Sequence, residues 1–333
     1  MKILHCKEFG PVENLVWENI DSPELGDDEV LISVKAAALN FPDYLIVQGL
    51  YQFKPEFPFA PGNEGAGVIK KIGKNVTKFK EGDRVYFMSA YGAFAEEICM
   101  HELGTFAIEK DTSFEMAASY QMAYGTSYHA LMQRGELKKD DELLVLGASG
   151  GVGLAAVDIA VAKGARVVAG VSNEEKAQIC RDYGASDVVI YGEGPKDKDD
   201  SKALSSELKS KSLKGGFDII YDPIGDCYTE PAFRSIGWKG RYLVVGFAAG
   251  QIPKLPINLS LLKGASLVGV FWGSFTGREP DLNAKNLNDI NQMLRDGEIK
   301  PLVSKTFPME RAVEAINLIG NRGVIGKVVL TNE

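Results

Sequence analysis

The run Gly147-Ala148-Ser149-Gly150-Gly151-Val152-Gly153 has the residue types and spacing that hold a diphosphate. Glycines let the backbone approach phosphate oxygens closely, and the N–H groups that open a following helix, with the helix dipole behind them, hold the negative charge. That chemistry needs a strand before the turn and a helix after it. Both are present: Leu143-Leu144-Val145-Leu146 leads into the turn, and Leu154 to Ala160 has the length and apolar spacing of a helix. A glycine motif alone is weak, but inside a strand, turn and helix it predicts a dinucleotide site with Ala148, Ser149, Gly150, Gly151 and Val152 at the phosphates. Ala148 takes the first position of the usual GxGxxG and Gly150 and Gly153 the others; a small residue still fits the turn.

The end of the next strand decides which nucleotide. In an NAD site it carries an Asp or Glu that accepts from the ribose hydroxyls. Here the strand ends Gly170-Val171-Ser172. Without that carboxylate a 2'-phosphate is not repelled, and Ser172 with Lys176 supplies a hydroxyl and a cation to it, so NADP(H) is the expected cofactor. Glu174 and Glu175 on the same loop argue the other way, and Lys176 can also be read as a solvated residue of the next helix.

Metal chemistry is not expected. Cys6, Cys99, Cys180 and Cys227 are far apart, and His5, His101 and His129 are not paired at ligand spacing. His129, on a helix-like stretch, reads as a structural histidine. The 37 Lys and Arg against 45 Asp and Glu leave a net charge of −8, which speaks against a nucleic-acid partner. The mixed run Lys196-Asp197-Lys198-Asp199-Asp200 reads as a solvated loop. No apolar run reaches a membrane span, and the opening residues lack the features of a signal or transit peptide. A reducing, cytoplasmic setting is expected, with a mitochondrial one left open.

The elements that must position these residues follow from the pattern. The chain has 333 residues, 45% hydrophobic and 25% charged, enough for two globular domains. Up to about Tyr124 short β-like runs are punctuated by Gly and Pro. From Glu142 strand-like runs alternate with helical stretches: 143–146, 166–171, 187–191, 218–221 and 242–245. That alternation predicts an α/β fold with a parallel sheet covered by helices on both faces. After about Gly264 two more apolar runs, Leu267 to Trp272 and Lys327 to Leu330, flank a helix-like stretch from Leu282 to Leu294.

These residues resemble the medium-chain dehydrogenase/reductase superfamily, and within it the zinc-free quinone oxidoreductase and zeta-crystallin branch. The resemblance rests on Ala38-Leu39-Asn40-Phe41-Pro42-Asp43, Gly49-Leu50-Tyr51, Pro61-Gly62-Asn63-Glu64-Gly65-Ala66-Gly67-Val68 and Gly82-Asp83-Arg84-Val85. It continues through the 147–153 turn, Asp222-Pro223-Ile224-Gly225 and Gly326-Lys327-Val328-Val329-Leu330. It implies a GroES-like irregular β domain, residues 1–124 with 265–333, around a Rossmann doubly wound parallel sheet, residues 125–264, with the active site in the cleft between them. It also implies a homodimer paired through an edge strand near Leu267 to Trp272.

Zinc-dependent relatives place Cys where Asn40 stands and His where Asn63 stands, so the resemblance implies a metal-free site. Hydride transfer then depends on positioning and on hydrogen-bond donors to the substrate oxygen. By resemblance, the Asn40 amide donates to a carbonyl oxygen, Asp43 orders the loop and Tyr51 donates a proton, although Tyr51 also suits an aromatic lid. Thr126 matches a nicotinamide contact, and Tyr191 and Arg322 match phosphate-side or ribose-side contacts. Phe247, Phe271 and Trp272 are placed around the nicotinamide, and core packing accounts for them equally well. Tyr44, Tyr51, Tyr128 and the C-terminal segment shape the substrate pocket.

The expected activity is NADPH-dependent reduction of a quinone or an α,β-unsaturated carbonyl. An enoyl-thioester reductase is the nearest alternative. A catalytically weak NADPH-binding sensor or nucleic-acid-binding protein is the alternative of a different class.

Overall fold

The computed structural model describes residues 1–332. They divide into two compact units, one made of residues 1–122 and the segment from Pro301 onward, the other of Ala123–Lys300.

The first unit is built on a seven-stranded sheet. Across it run Val303–Pro308, Lys327–Thr331, Glu29–Ala38, Glu64–Ile72, Arg84–Met88 and Thr105–Ala107, with Glu97–His101 also paired to Glu29–Ala38. The strand Glu29–Ala38 has three partners, and its sequence EVLISVKAAA is correspondingly apolar and mostly buried. Leu4, Ile32, Ile69, Phe87, Phe94 and Phe307 are wholly buried in this unit's core, each worth about 1.5–3 kcal/mol of apolar burial. The register sets Ala38 opposite both Glu64 and Val329. Two residues further along the antiparallel pair, it brings Asn40 to Lys327. Pro42, in the first turn, helps start the short helix Phe41–Val47 just there.

The second unit holds a six-stranded sheet with every pairing parallel. Its order is Asp187–Ile190, Arg166–Val171, Glu142–Leu146, Phe217–Asp222, Ile236–Val244 and Ser266–Gly269. Counted along this unit the order is 3-2-1-4-5-6, the doubly wound arrangement in which ligands bind at the carboxyl ends of the strands beside the order reversal. Leu144, Val168, Phe217, Ile220, Phe233 and Tyr242 form its core.

Two expectations need correcting. The second unit extends to Lys300 rather than ending at 264, because Ser266–Gly269 adds a sixth parallel strand in register with Arg241–Val244. The helix Pro280–Arg295 then binds within the same unit: Tyr128 donates to Asp289 at 3.0 Å, and Gln133 and Asn286 exchange amide bonds at 3.1 and 3.0 Å. The run 196–200 is exposed, yet it is a helix start rather than a loop. Asp197 accepts from the N–H groups of Asp199 and Asp200 as N-cap of Lys198–Ser210. Among the described residues no helix is long and apolar enough to cross a membrane.

Candidate functional site

In the first unit the polar residues meet where three strand ends converge. Lys327 heads the strand Lys327–Thr331, and its ammonium donates to Asn40 Oδ1 at 2.5 Å, Glu64 Oε1 at 2.8 Å and the Leu39 carbonyl at 3.0 Å. Asn40 Nδ2 donates to Glu64 Oε1 at 2.8 Å and to Asn63 Oδ1 at 2.9 Å. The second Glu64 oxygen accepts the Met122 N–H at 3.0 Å. Asp43 reaches back from the helix Phe41–Val47 and accepts the Asn40 N–H at 2.7 Å. All five side chains belong to residues under one-tenth exposed.

One ammonium thus shares a buried cluster with two carboxyl groups. Burial pushes Asp43 up to about 7, against the pull of the Asn40 and Gly62 N–H donors and the Lys327 charge, with Glu64 adding to the rise. The expectation that Asn40 itself donates to a carbonyl oxygen is corrected: both hydrogens of its amide are already taken.

In the second unit the glycine turn lies between the strand Glu142–Leu146 and the helix Gly151–Ala162. Gly147 turns the chain at φ +57°, a left-handed conformation, and Gly153 must be bare because a Cβ there would lie 2.2 Å from the Gly147 carbonyl oxygen. Ala148, wholly buried, is held by its N–H to the Gly170 carbonyl at 3.1 Å. Gly150 is the N-cap and supplies no side-chain cap, which leaves the first-turn N–H groups of the helix for a ligand. Ser127 ties the turn down, donating to the Val152 carbonyl at 2.8 Å and lying 2.9 Å from the Tyr221 hydroxyl.

Past the next strand, Lys176 Nζ lies 3.2 Å from Ser172 Oγ, so the hydroxyl and the ammonium sit together. Glu174, which argued against a phosphate, is paired along its own helix with Arg181 at 2.5 Å. The turn, the uncapped helix start and the Ser172–Lys176 pair fit a dinucleotide with a 2'-phosphate.

Known proteins share this organisation. The family model for the alcohol dehydrogenase GroES-like domain matches residues 26–114, and that for the zinc-binding dehydrogenase matches residues 151–287. A quinone oxidoreductase-like protein 2 homolog of Nematostella vectensis is 34% identical over 98% of this chain and 88% of its own length. The quinone oxidoreductase of Homo sapiens is 32% identical over 99% of this chain and 97% of its own. This chain belongs to the quinone oxidoreductase branch of the medium-chain dehydrogenases/reductases. A solved mycobacterial structure, complexed with NADPH, superposes with a TM-score of 0.90 at 27% identity, covering 100% of both chains.

One of the two family models carries zinc in its description, and the residues here do not fit a catalytic zinc. The cluster offers two amides and two carboxyl groups, of which Glu64 already holds an ammonium at 2.8 Å and Asp43 is taken up by the Asn40 N–H at 2.7 Å. Amides are poor zinc ligands, and a dication beside Lys327 is repelled.

The remaining expected site residues of this quinone oxidoreductase relative are scattered more widely. Tyr51 follows the helix Phe41–Val47 and packs half-buried on the first core; burial, then the Asp43 charge, raises its phenol. Thr126 is half-buried on the helix Gln121–Tyr128. Tyr191 props the glycine turn, its hydroxyl accepting the Gly147 N–H at 3.1 Å. Phe247 closes on Gly225, its ring edge 2.8 Å from where a Cβ there would stand, and Phe271 is 55% exposed.

Trp272 is 4% exposed and lies flush against Gly125, where a Cβ would come within 2.6 Å of its ring. Arg322 is exposed in a left-handed turn of the first unit. His129 stacks on Phe275 at 3.9 Å and bonds Gln133, and burial lowers its pKa. Lys327 and Glu64 were given no site role by sequence reasoning, and Asn63 entered only as the position where zinc-dependent relatives carry His. Their signal was a lysine heading an apolar strand and a glutamate within a run of small residues.

Proposed function

We propose that this chain is an NADPH-dependent reductase of quinones or α,β-unsaturated ketones and aldehydes that works without a metal. The observation that carries the reading is the Ser172–Lys176 pair beside a glycine turn whose helix start is uncapped. It is supported by the NADPH complex of the mycobacterial structure and by the quinone oxidoreductase names of the relatives.

When bound, the reduced nicotinamide supplies the hydride. The 147–153 turn holds the diphosphate, and Ser172 with Lys176 selects the 2'-phosphate. In the first unit, the amides anchored on Lys327 provide fixed dipoles for an oxygen that becomes negative, with the opposing carboxylate neutralised by the ammonium. Tyr51, its phenol raised by burial, keeps its proton at neutral pH and returns it to the substrate in this reading. That last point is shared by the enoyl-thioester reading, in which the α-carbon must likewise be protonated.

One assay decides. Purified protein is given NADPH and a panel of quinones, enones and enoyl thioesters, and the loss of the reduced-nicotinamide absorbance is followed. Turnover of quinones or enones supports the proposal, turnover of enoyl thioesters alone selects the alternative, and no turnover with any acceptor sinks both.

A further inference from the structure

We propose that the Asn63 side-chain nitrogen is the hydrogen-bond donor this chain offers to the substrate oxygen, and that Lys327 fixes its direction through Asn40. The inference rests on the reductase reading and gives it a residue.

An ammonium carries three hydrogens and no lone pair, so the atom of Asn40 facing Lys327 Nζ at 2.5 Å must be the carbonyl oxygen. The Asn40 nitrogen is then forced to the other side, where one hydrogen meets Glu64 Oε1 and the other meets Asn63 Oδ1. Asn63 must turn an acceptor inward, so its Nδ2 is turned outward. Oxygen and nitrogen of an amide are alike in shape, and here the charge at the head of the chain decides between them. Rotating Asn63 would set its NH2 against the NH2 of Asn40, with no acceptor between them.

The outward nitrogen is still available. Asn63 is 7% exposed, yet its Nδ2 makes no hydrogen bond among the described residues and is not sealed from solvent. A clamped side chain with one unused donor is a preorganised group, aimed before the reaction begins.

Hydride addition suits that donor. As hydride adds to the β-carbon of an enone, the new C–H bond forms, the C=C pair moves in to make C=C with the carbonyl carbon, and the C=O pair ends on oxygen as an enolate. A proton from solvent or Tyr51 completes the reduction, and NADPH leaves as the oxidised cofactor. For a quinone the same electron flow places the charge on a phenolate oxygen. The Asn63 donor strengthens as that charge grows.

The test uses 4-nitrophenol, whose phenolate absorbs in the visible, as a probe of the full-length protein with oxidised cofactor added. The wild type is expected to prefer phenolate over phenol at least tenfold, read as a lowered apparent pKa of the bound probe. Asn63→Asp and Asn63→Ala are each expected to lose that preference. Lys327→Met is expected to lose it too, without touching the probe, and Lys327→Arg to retain it, a pattern that simple loosening of the fold does not give.

In turnover, Asn63→Ala should lower kcat on the order of 10²–10³-fold with the NADPH KM unchanged. A wild type that binds phenol and phenolate alike, or neither, overturns the assignment; so does an Asn63→Ala protein that keeps the preference. Thermal melts show which variants are folded, and the two Asn63 substitutions decide the matter if Lys327→Met does not fold. If no quinone or enone is reduced, the reductase reading falls, while the phenolate preference still decides the donor.

Discussion

The Lys327 ammonium and the Glu64 carboxylate lie 2.8 Å apart with side chains 5% and 1% exposed. Taking both charges out of water is costly, so the pair is weak evidence of stability, but removing one partner strands the other. Lys327→Met is expected to lower the unfolding free energy by about 3–5 kcal/mol in urea titrations. The double variant with Glu64→Gln should lose less than the single one. A double variant that loses more would mean the pair is not coupled.

Asp43 sets a pH dependence. Its carboxyl is raised from 3.8 to about 7 in the folded chain. Between those values the folded state holds a proton the unfolded state has lost. Its contribution to stability is therefore full below the unfolded value and falls as the pH rises through about 7. Asp43→Asn removes that slope, up to about 1.4 kcal/mol per pH unit. Urea titrations at pH values from about 5 to 8 should show the variant gaining on the wild type as pH rises; parallel curves would refute the shift.

Lys176→Ala separates the two nicotinamide cofactors. With the ammonium 3.2 Å from Ser172 Oγ, its removal should weaken NADPH about tenfold or more, the worth of a charge-assisted hydrogen bond, and leave NADH almost unchanged. Quenching of protein fluorescence measures both. Equal weakening would mean that the pair does not read the 2'-phosphate.

Tyr51→Phe keeps the ring that packs on the first core and deletes the raised phenol. Enone turnover should fall about 10²-fold or more at unchanged NADPH affinity. An unaltered rate leaves the ring as packing alone.

The edge strand Ser266–Gly269 has one partner, and beside it Trp238, Leu261 and Leu262 are 72%, 78% and 64% exposed, with Leu267 at 44%. An unpaired edge rimmed by apolar side chains is a template for a second copy. Size-exclusion chromatography with light scattering should give about twice 36.2 kDa, and Leu261→Glu with Leu267→Lys should return the mass to that of one chain. A wild type already at one chain removes the expectation.

The second unit was largely legible in the sequence because its signals are local. Each strand is a short apolar run, and the glycine turn, the Val171-Ser172 strand end and Lys176 fall within one unit of neighbouring residues. The strand Ser266–Gly269 looks like any other apolar run, and only its parallel register with Arg241–Val244 assigns it to this sheet.

The polar cluster of the first unit was legible in part, since Asn40 and Asp43 stand next to each other at a helix start. Its organising residue was not, because Lys327 lies 287 residues from Asn40 and 263 from Glu64, and pairing at that separation has no periodicity to announce it. Asn40 was expected to turn its amide toward a substrate oxygen, but its orientation depends on a cation that sequence proximity cannot supply.

The strand Lys327–Thr331 joins the first sheet only after the whole of Ala123–Lys300 has been synthesised. During translation the inserted unit has its entire chain available and can fold first, while the earlier segment waits with the Ala36–Ala38 edge that Lys327–Thr331 will later cover still open. The ribosome thus releases the charge that completes the polar cluster last, and until then Glu64 is left without its counterion.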